Sequence, residues 1–134
     1  MKNQNILSNE ILSIALGVST NELENQFDDE LLKEMHEEIE TWINKYNVKE
    51  IEYYVNKNEL EDICIEPEEL TNLTNSKINF LDYDEFYEMK DKVLSGNIEG
   101  SGWDGQYRDE TSYNKEYFYT GSDGSYYIIV KKLN

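Results

Sequence analysis

The chain has 134 residues with 12 Lys and Arg against 29 Asp and Glu, so its formal charge is 12 − 29 = −17. One ordinary domain has that length, and 33 Ile, Leu, Val and Phe beside 11 Tyr and 2 Trp exceed what acidic disordered tails carry, so residues 1–134 are expected to fold as a single acidic domain. The charge opposes direct binding to nucleic acid or an anionic membrane, no apolar run approaches the roughly 18 residues that span a bilayer, no basic-then-apolar leader is expected from residues 1–20, and the lone Cys64 excludes an internal disulfide and multi-cysteine zinc sites.

Residues 6–27 read as two short helices. Ser8 suits an N-cap with Ile11, Leu12 and Leu16 as the apolar stripe, Gly17 falls where a helix ends, and Ser19 or Thr20 restarts one through Leu23. Ser13, Gly17 and Leu23 have helix-turn-helix spacing, the basis of an alternative reading as a regulator. The second helix, Thr20-Asn21-Glu22-Leu23-Glu24-Asn25-Gln26, has no Lys or Arg to reach phosphates. Packing is the favoured role.

Residues 28–46 carry Leu31, Leu32, Met35, Ile39, Trp42, Ile43 and Tyr46 at three- and four-residue steps, one face of a helix capped by Asp28 or Asp29. The other face carries Glu30, Glu34, Glu37, Glu38 and Glu40, relieved by Lys33 alone. Val48–Asn56 alternates like a strand, and Leu60–Glu66 suggests a second, short one. Pro67–Leu73 reads as a helical turn with proline at its start, and Lys77–Leu81 as a strand. Asp82 or Asp84 then caps a helix to Leu94, with Phe86, Met89, Val93 and Leu94 inward and Gly96 ending it.

Residues 95–112 hold Gly, Trp103 and Tyr107 in a loop with an ordered composition. Tyr113–Thr120 and Ser125–Leu133 flank Gly121-Ser122-Asp123-Gly124, a hairpin signal. Tyr107, Tyr113, Tyr117, Phe118, Tyr119, Tyr126 and Tyr127 imply a sheet with one packed and one half-exposed face. The expected class is α+β: N-terminal helices, then a small antiparallel sheet with one inserted helix and a C-terminal hairpin.

No catalytic set emerges, and an enzyme is not expected. His36, the single histidine, lies 28 residues before Cys64; the first reads as a helix-surface residue among glutamates and the second as a small core hydrophobe. Asp82-x-Asp84 with Glu85 and Glu88, and Asp104 with Asp109 and Glu110, are oxygen-rich enough to make a Ca²⁺-binding module a further alternative, though the EF-hand spacing is incomplete. No phosphate-cradling glycine pattern is present. No cofactor is expected.

The acidity is regional. Residues 22–110 hold 26 acids and 8 bases, 8 − 26 = −18, while the remainder sums to 4 − 3 = +1. Solubility of a small domain needs a charge of only about 2–8, so a partner with a basic groove accounts for the excess better. Carboxylates four residues apart on a helix are spaced by about 6 Å, comparable with phosphates along a nucleic-acid strand. The expected contact residues are Glu30, Glu34, Glu37, Glu38, Asp82, Asp84, Glu85, Glu88, Asp104, Asp109 and Glu110, with Trp103 and Tyr107 as aromatic anchors. Self-repulsion opposes tight self-association, and the sequence sets no oligomeric state.

Residue usage is skewed to Asn, Lys, Glu, Ile and Tyr, with single Ala15, Arg108 and Pro67, which points to a low-GC bacterium or its mobile elements. With the size, acidity and missing catalytic residues, this resembles the small anti-defence inhibitors of phages, anti-CRISPR proteins among them. Gly102-Trp103-Asp104-Gly105-Gln106-Tyr107-Arg108-Asp109-Glu110 is similar to a Gly-Trp…Tyr…Asp-Glu stretch of an acidic Cas9 inhibitor, from which Arg108 and the extra glycines depart. The resemblance covers under a tenth of the chain and transfers no residue roles. It implies a cytoplasmic inhibitor, acting in a bacterial host, that blocks a defence nuclease such as Cas9 by occupying its DNA-binding groove. An immunity protein against a basic toxin nuclease is the alternative, because it would use the same charges.

Overall fold

Ile128, Ile129 and Val130 are consecutive and all fully buried, which a strand achieves only when both of its faces are covered. The structure, a computed structural model, describes residues 2–26, 29–95, 110–121 and 126–133. Its five strands are β1 (Glu50–Asn56), β2 (Ile78–Leu81), β3 (Glu110–Tyr113), β4 (Tyr117–Gly121) and β5 (Ile128–Leu133), in the sheet order β2-β1-β5-β4-β3. Its helices are α1 (Lys2–Leu16), α2 (Thr20–Gln26), α3 (Asp29–Lys45), α4 (Lys57–Asp62), α5 (Pro67–Thr71) and α6 (Tyr83–Leu94).

The two-residue period of the strands assigns each side chain to a layer. Ile51, Tyr53 and Val55 of β1, Phe118 of β4, and Ile128 and Val130 of β5 join the core built with α1, α2 and α3. The alternate residues, Tyr54, Tyr117, Tyr119 and Ile129, pack with Phe86, Met89, Val93 and Leu94 of α6 on the opposite side. Helices therefore cover both faces, where the tyrosines had implied one half-exposed face. Tyr113, Tyr117, Phe118, Tyr119 and Tyr126 are all buried.

Asn114 joins the layers. Its carbonyl accepts the indole N–H of Trp42 from α3 at 2.9 Å, and its Nδ2 donates to the Val93 carbonyl of α6 at 2.9 Å. Its Oδ1 accepts the amides of Glu116 and Tyr117 at 3.0 Å each, closing the turn from β3 to β4. Each bond is worth about 1 kcal/mol net.

The class is α+β with N-terminal helices. Four details differ from the expectation. β1 and β2 run parallel, with Tyr53 opposite Ile78 and Val55 opposite Phe80, so the sheet is mixed. Tyr113–Thr120 is two strands folded back at Asn114, with Tyr113 paired to Phe118. The hairpin of β4 and β5 pairs Thr120 with Ile128, while its Ser122–Ser125 tip lies outside the described residues, as do Gly96 and most of the 95–112 loop. The helix α1 begins well before Ser8, which is buried inside it.

The fourth detail concerns Leu60–Glu66, expected as a strand. Asn56 Oδ1 accepts the amides of Asn58 and Glu59 at 3.0 and 3.4 Å, which starts α4 instead. Leu60 then points into the core, and β1 ends at the cap. Pro67 starts α5 as the sequence predicted, and of the two expected caps of α6, Asp82 or Asp84, it is Asp82 that caps, with Glu85 completing a reciprocal capping box.

Three helices stop in the same way. Val18, Val48 and Ile65 donate to the carbonyls of Ser13, Ile43 and Leu60, five residues back, at 3.1, 2.9 and 2.9 Å. In each case the preceding residue is left-handed: Gly17 at φ 70°, Asn47 at 51° and Cys64 at 59°. At Gly17 a Cβ would also meet Ile65 Cδ1 at 2.9 Å. Cys64 is the unsuited member, since a residue with a Cβ pays roughly 1–2 kcal/mol in this region. Its side chain is exposed rather than in the core, so replacing it loses little burial. Cys64→Gly is expected to stabilise the fold by about 0.5–1 kcal/mol after the greater unfolded-state entropy of glycine is counted. A higher urea midpoint at unchanged slope would register this, and Cys64→Val should move the midpoint the other way.

Candidate protein-binding surface

The single histidine, His36, makes a packing contact. His36 Nδ1 lies 2.6 Å from Ser8 Oγ, a hydrogen bond that ties α3 to α1. Ser8 is fully buried, so no substrate reaches it. His36 is half-buried rather than a surface residue. Cys64 sits at the end of α4 in a cleft of about 530 Å³ that Lys57, Glu61, Glu66 and Phe80 also line. Among the described residues no three His, Cys, Asp or Glu side chains are grouped to hold a metal ion. Asp82 and Glu85, two of the four acids in the first oxygen cluster considered for Ca²⁺, accept each other's backbone amides at the start of α6 at 2.9 and 3.0 Å.

The acidic residues fall into two groups. Glu30, Glu34 and Glu37 are exposed on the outer side of α3, with Glu38 half-buried at its edge. Asp82, Asp84, Glu85 and Glu88 are exposed on α6. Since α3 and α6 cover opposite faces of the sheet, these do not form the single surface that the sequence implied. Glu110 opens β3 opposite Gly121. Trp103, Asp104, Tyr107 and Asp109 lie outside the described residues.

The structure adds neighbours to the α6 group that the sequence reading missed. The amide of Tyr83 donates to Asn58 Oδ1 at 2.9 Å, joining the start of α6 to α4. Glu61 and Asp62 of α4 are exposed beside it, and Glu66, Glu68 and Glu69 at α5, whose Leu70 joins the α1–α3 core, are exposed as well. Residues 57–91 hold 11 acids and 3 bases, 3 − 11 = −8, against 2 − 6 = −4 for residues 29–45 of α3. The capping pattern Asn56-x-x-Glu59 is the signal that could have revealed α4 and its acids.

Glu59 is the inward member of this group. Burial raises its pKa and Asp62 adds to the rise, opposed by the Tyr127 amide and by Lys90. Lys90 Nζ lies 5.5, 5.4 and 5.9 Å from the ring centroids of Tyr87, Tyr119 and Tyr127, and the last two rings stack at 5.4 Å. A lysine of α6 thus rests on tyrosines from both its own helix and the sheet.

On the other face, Tyr53 hydroxyl donates to Glu10 Oε2 at 2.7 Å. Burial first, then the Glu10 charge and this bond, hold the phenol well above its ordinary pKa. Glu10 therefore fixes α1 to β1 and belongs to the packing rather than to a binding surface.

Among the described residues no helix is long and apolar enough to cross a membrane. The chain matches no protein-family model, no curated protein and no solved structure.

The Ser8–His36 contact has a measurable pH signature. Burial lowers the His36 pKa from 6.5, against the opposing charge of Glu40. Above 6.5 the imidazole is neutral in both states and its packing contribution is complete. As pH falls, the unfolded state binds the proton first, so the contribution declines from 6.5 and is lost as pH falls through the folded value. The stability margin of the wild type over His36→Gln should therefore shrink on acidification from about pH 7.5 to about pH 5 in urea unfolding. A margin independent of pH would contradict the assignment.

Proposed function

We propose that this chain is a stoichiometric acidic inhibitor that blocks a nucleic-acid-binding nuclease of bacterial defence, a CRISPR effector such as Cas9 first among the targets, by occupying its basic groove. The supporting observation is the concentration of exposed carboxylates on α4, α5 and the first half of α6, a stretch of net charge −8. The helix α4 touches α6, so the acids of these two helices are held on a folded surface. The ordering entropy that a flexible acidic tail would lose on binding is then largely absent.

The chemistry is that of nucleic-acid mimicry. Carboxylates spaced by about one helical turn present negative charge at intervals near those of phosphates, so Lys and Arg side chains that hold DNA can pair with them. Association of this kind is fast and salt-sensitive. It requires no bond to be made or broken and no cofactor. The site of action on this reading is the cytoplasm of the bacterial host.

The α4–α6 side is the better candidate for the contact because exposed tyrosines accompany its acids, while its charge per residue, −8 over 35 residues against −4 over 17, is about that of α3. Direct competition tests this. With Cas9–guide complex, labelled target DNA and increasing inhibitor, Glu61→Gln/Asp62→Asn/Asp84→Asn/Glu88→Gln should raise the concentration needed for half-inhibition by at least about tenfold and flatten its salt dependence. The α3 variant Glu30→Gln/Glu34→Gln/Glu37→Gln/Glu38→Gln should change it by less than about threefold. Equal effects of the two variants would reject the α4–α6 face, and the absence of competition at any concentration would reject Cas9 as the target.

A further inference from the structure

Tyr83 and Tyr87 are 55% and 37% exposed. They stand one turn apart on α6, their ring centroids 4.5 Å apart and the planes tilted by 42°. Tyr87 is braced from below, with its ring edge-on to the buried Phe86 at 6.2 Å. Hydrogen bonding with Tyr83 comes first, and partial burial second, in pushing the Tyr87 pKa up to about 12. Tyr87 therefore stays neutral at physiological pH.

Exposed aromatic rings that are held in place in this way are costly to leave in water and are the residues that anchor protein interfaces. What they would accept is indicated by their own neighbour. Lys90 sits over the Tyr87 ring as well as over Tyr119 and Tyr127, on the side toward the sheet. The tyrosine cluster is thus already a cation-binding group within the molecule, and its outward part, Tyr83 with Tyr87, carries the same ring chemistry to solvent. Asp84 and Glu88 lie on the adjoining row of α6 and are exposed. They place carboxylates beside the rings, where a planar cation stacked on an aromatic face can direct its N–H groups.

We propose that the Tyr83–Tyr87 pair is the docking point for an arginine side chain of the basic protein partner, the guanidinium lying on the rings and its N–H fork pairing with Asp84 or Glu88. This rests on the reading of the partner as a basic protein groove. The preference for arginine over lysine has a physical cause. A guanidinium is flat, weakly hydrated and forked, so it can stack and pair at once, whereas an ammonium group is a strongly hydrated point charge. A nucleic acid would be repelled by the rim, and an apolar partner would leave its carboxylates facing a dry surface.

The probes are oligo-arginine and oligo-lysine peptides of equal length, titrated calorimetrically into the full chain at about 0.15 M salt. The wild type should bind the arginine peptide about two- to fivefold more tightly than the lysine peptide. Tyr83→Leu/Tyr87→Leu, which keeps apolar volume over Phe86, should reduce that ratio to near one while leaving lysine-peptide binding unchanged. Tyr83→Phe/Tyr87→Phe, which keeps the ring faces, should retain it. Equal binding of the two peptides to the wild type, or an arginine preference that survives in the Leu variant, would overturn the arginine assignment alone. Failure of both peptides to bind the wild type would overturn it together with the basic-partner reading.

Discussion

The position of β5 governs the rest of the molecule. It is paired on one edge with β1 and on the other with β4, and its apolar residues point to both sides. A strand of that composition is stable only inside a sheet with helices on each face. The α1–α3 layer satisfies one face and α6 the other. Polar side chains are thereby displaced to the outer surfaces of the helices, and the carboxylates of α3 and α6 end up directed away from each other with the sheet between them. The separation of the two acidic groups is a consequence of how the core is covered.

Much of this was legible in the chain where one local rule acts alone. The 3.6-residue period of Leu32, Met35, Ile39, Trp42 and Ile43 identified α3, and these residues are buried. Gly17, Pro67 and Asp82 marked helix ends correctly because each has a single strong conformational preference. The readings that failed are those in which two rules compete. Ile63 and Ile65 alternate with Asp62 and Cys64 as strand residues do, yet the Asn56 cap recruits residues 57–62 into a helix. Tyr113–Thr120 looks like one strand because the turn at Asn114 is made by side-chain hydrogen bonds and contains no glycine or proline. Ser8 resembles a cap residue but is buried within α1, satisfied by His36 at a separation of 28 residues, which no local pattern reports.

The surface divides in the same way. The acids of α3 and α6 are visible as helix faces, so their exposure followed from periodicity. Their relative placement depends on the sheet order, and the parallel pairing of β1 with β2 has no short-range signal. Tyr83 and Tyr87 were missed as exposed aromatics because Phe86 and Met89 identify the inward face of α6 without showing how far round the helix the covering extends. Lys90 resolves that ambiguity, since its contacts with Tyr119 and Tyr127 show where the helix rests against the sheet.

The pairing of β1 with β5 joins residues far apart in the chain. Val55 meets Ile128 and Glu50 meets Leu133, separations of 128 − 55 = 73 and 133 − 50 = 83 residues. Closing a loop of that length costs chain entropy before any strand contact repays it, and non-local pairings of this kind slow folding. Until β5 arrives, Ile51, Tyr53 and Val55 have no partner on that edge, while α1 and α3 can already pack through contacts nearer in sequence. During synthesis on a ribosome the helical layer is therefore available first, and the sheet is completed only after β5 has emerged. The high negative charge acts in that interval too: partly folded chains repel one another while an apolar strand edge is still open.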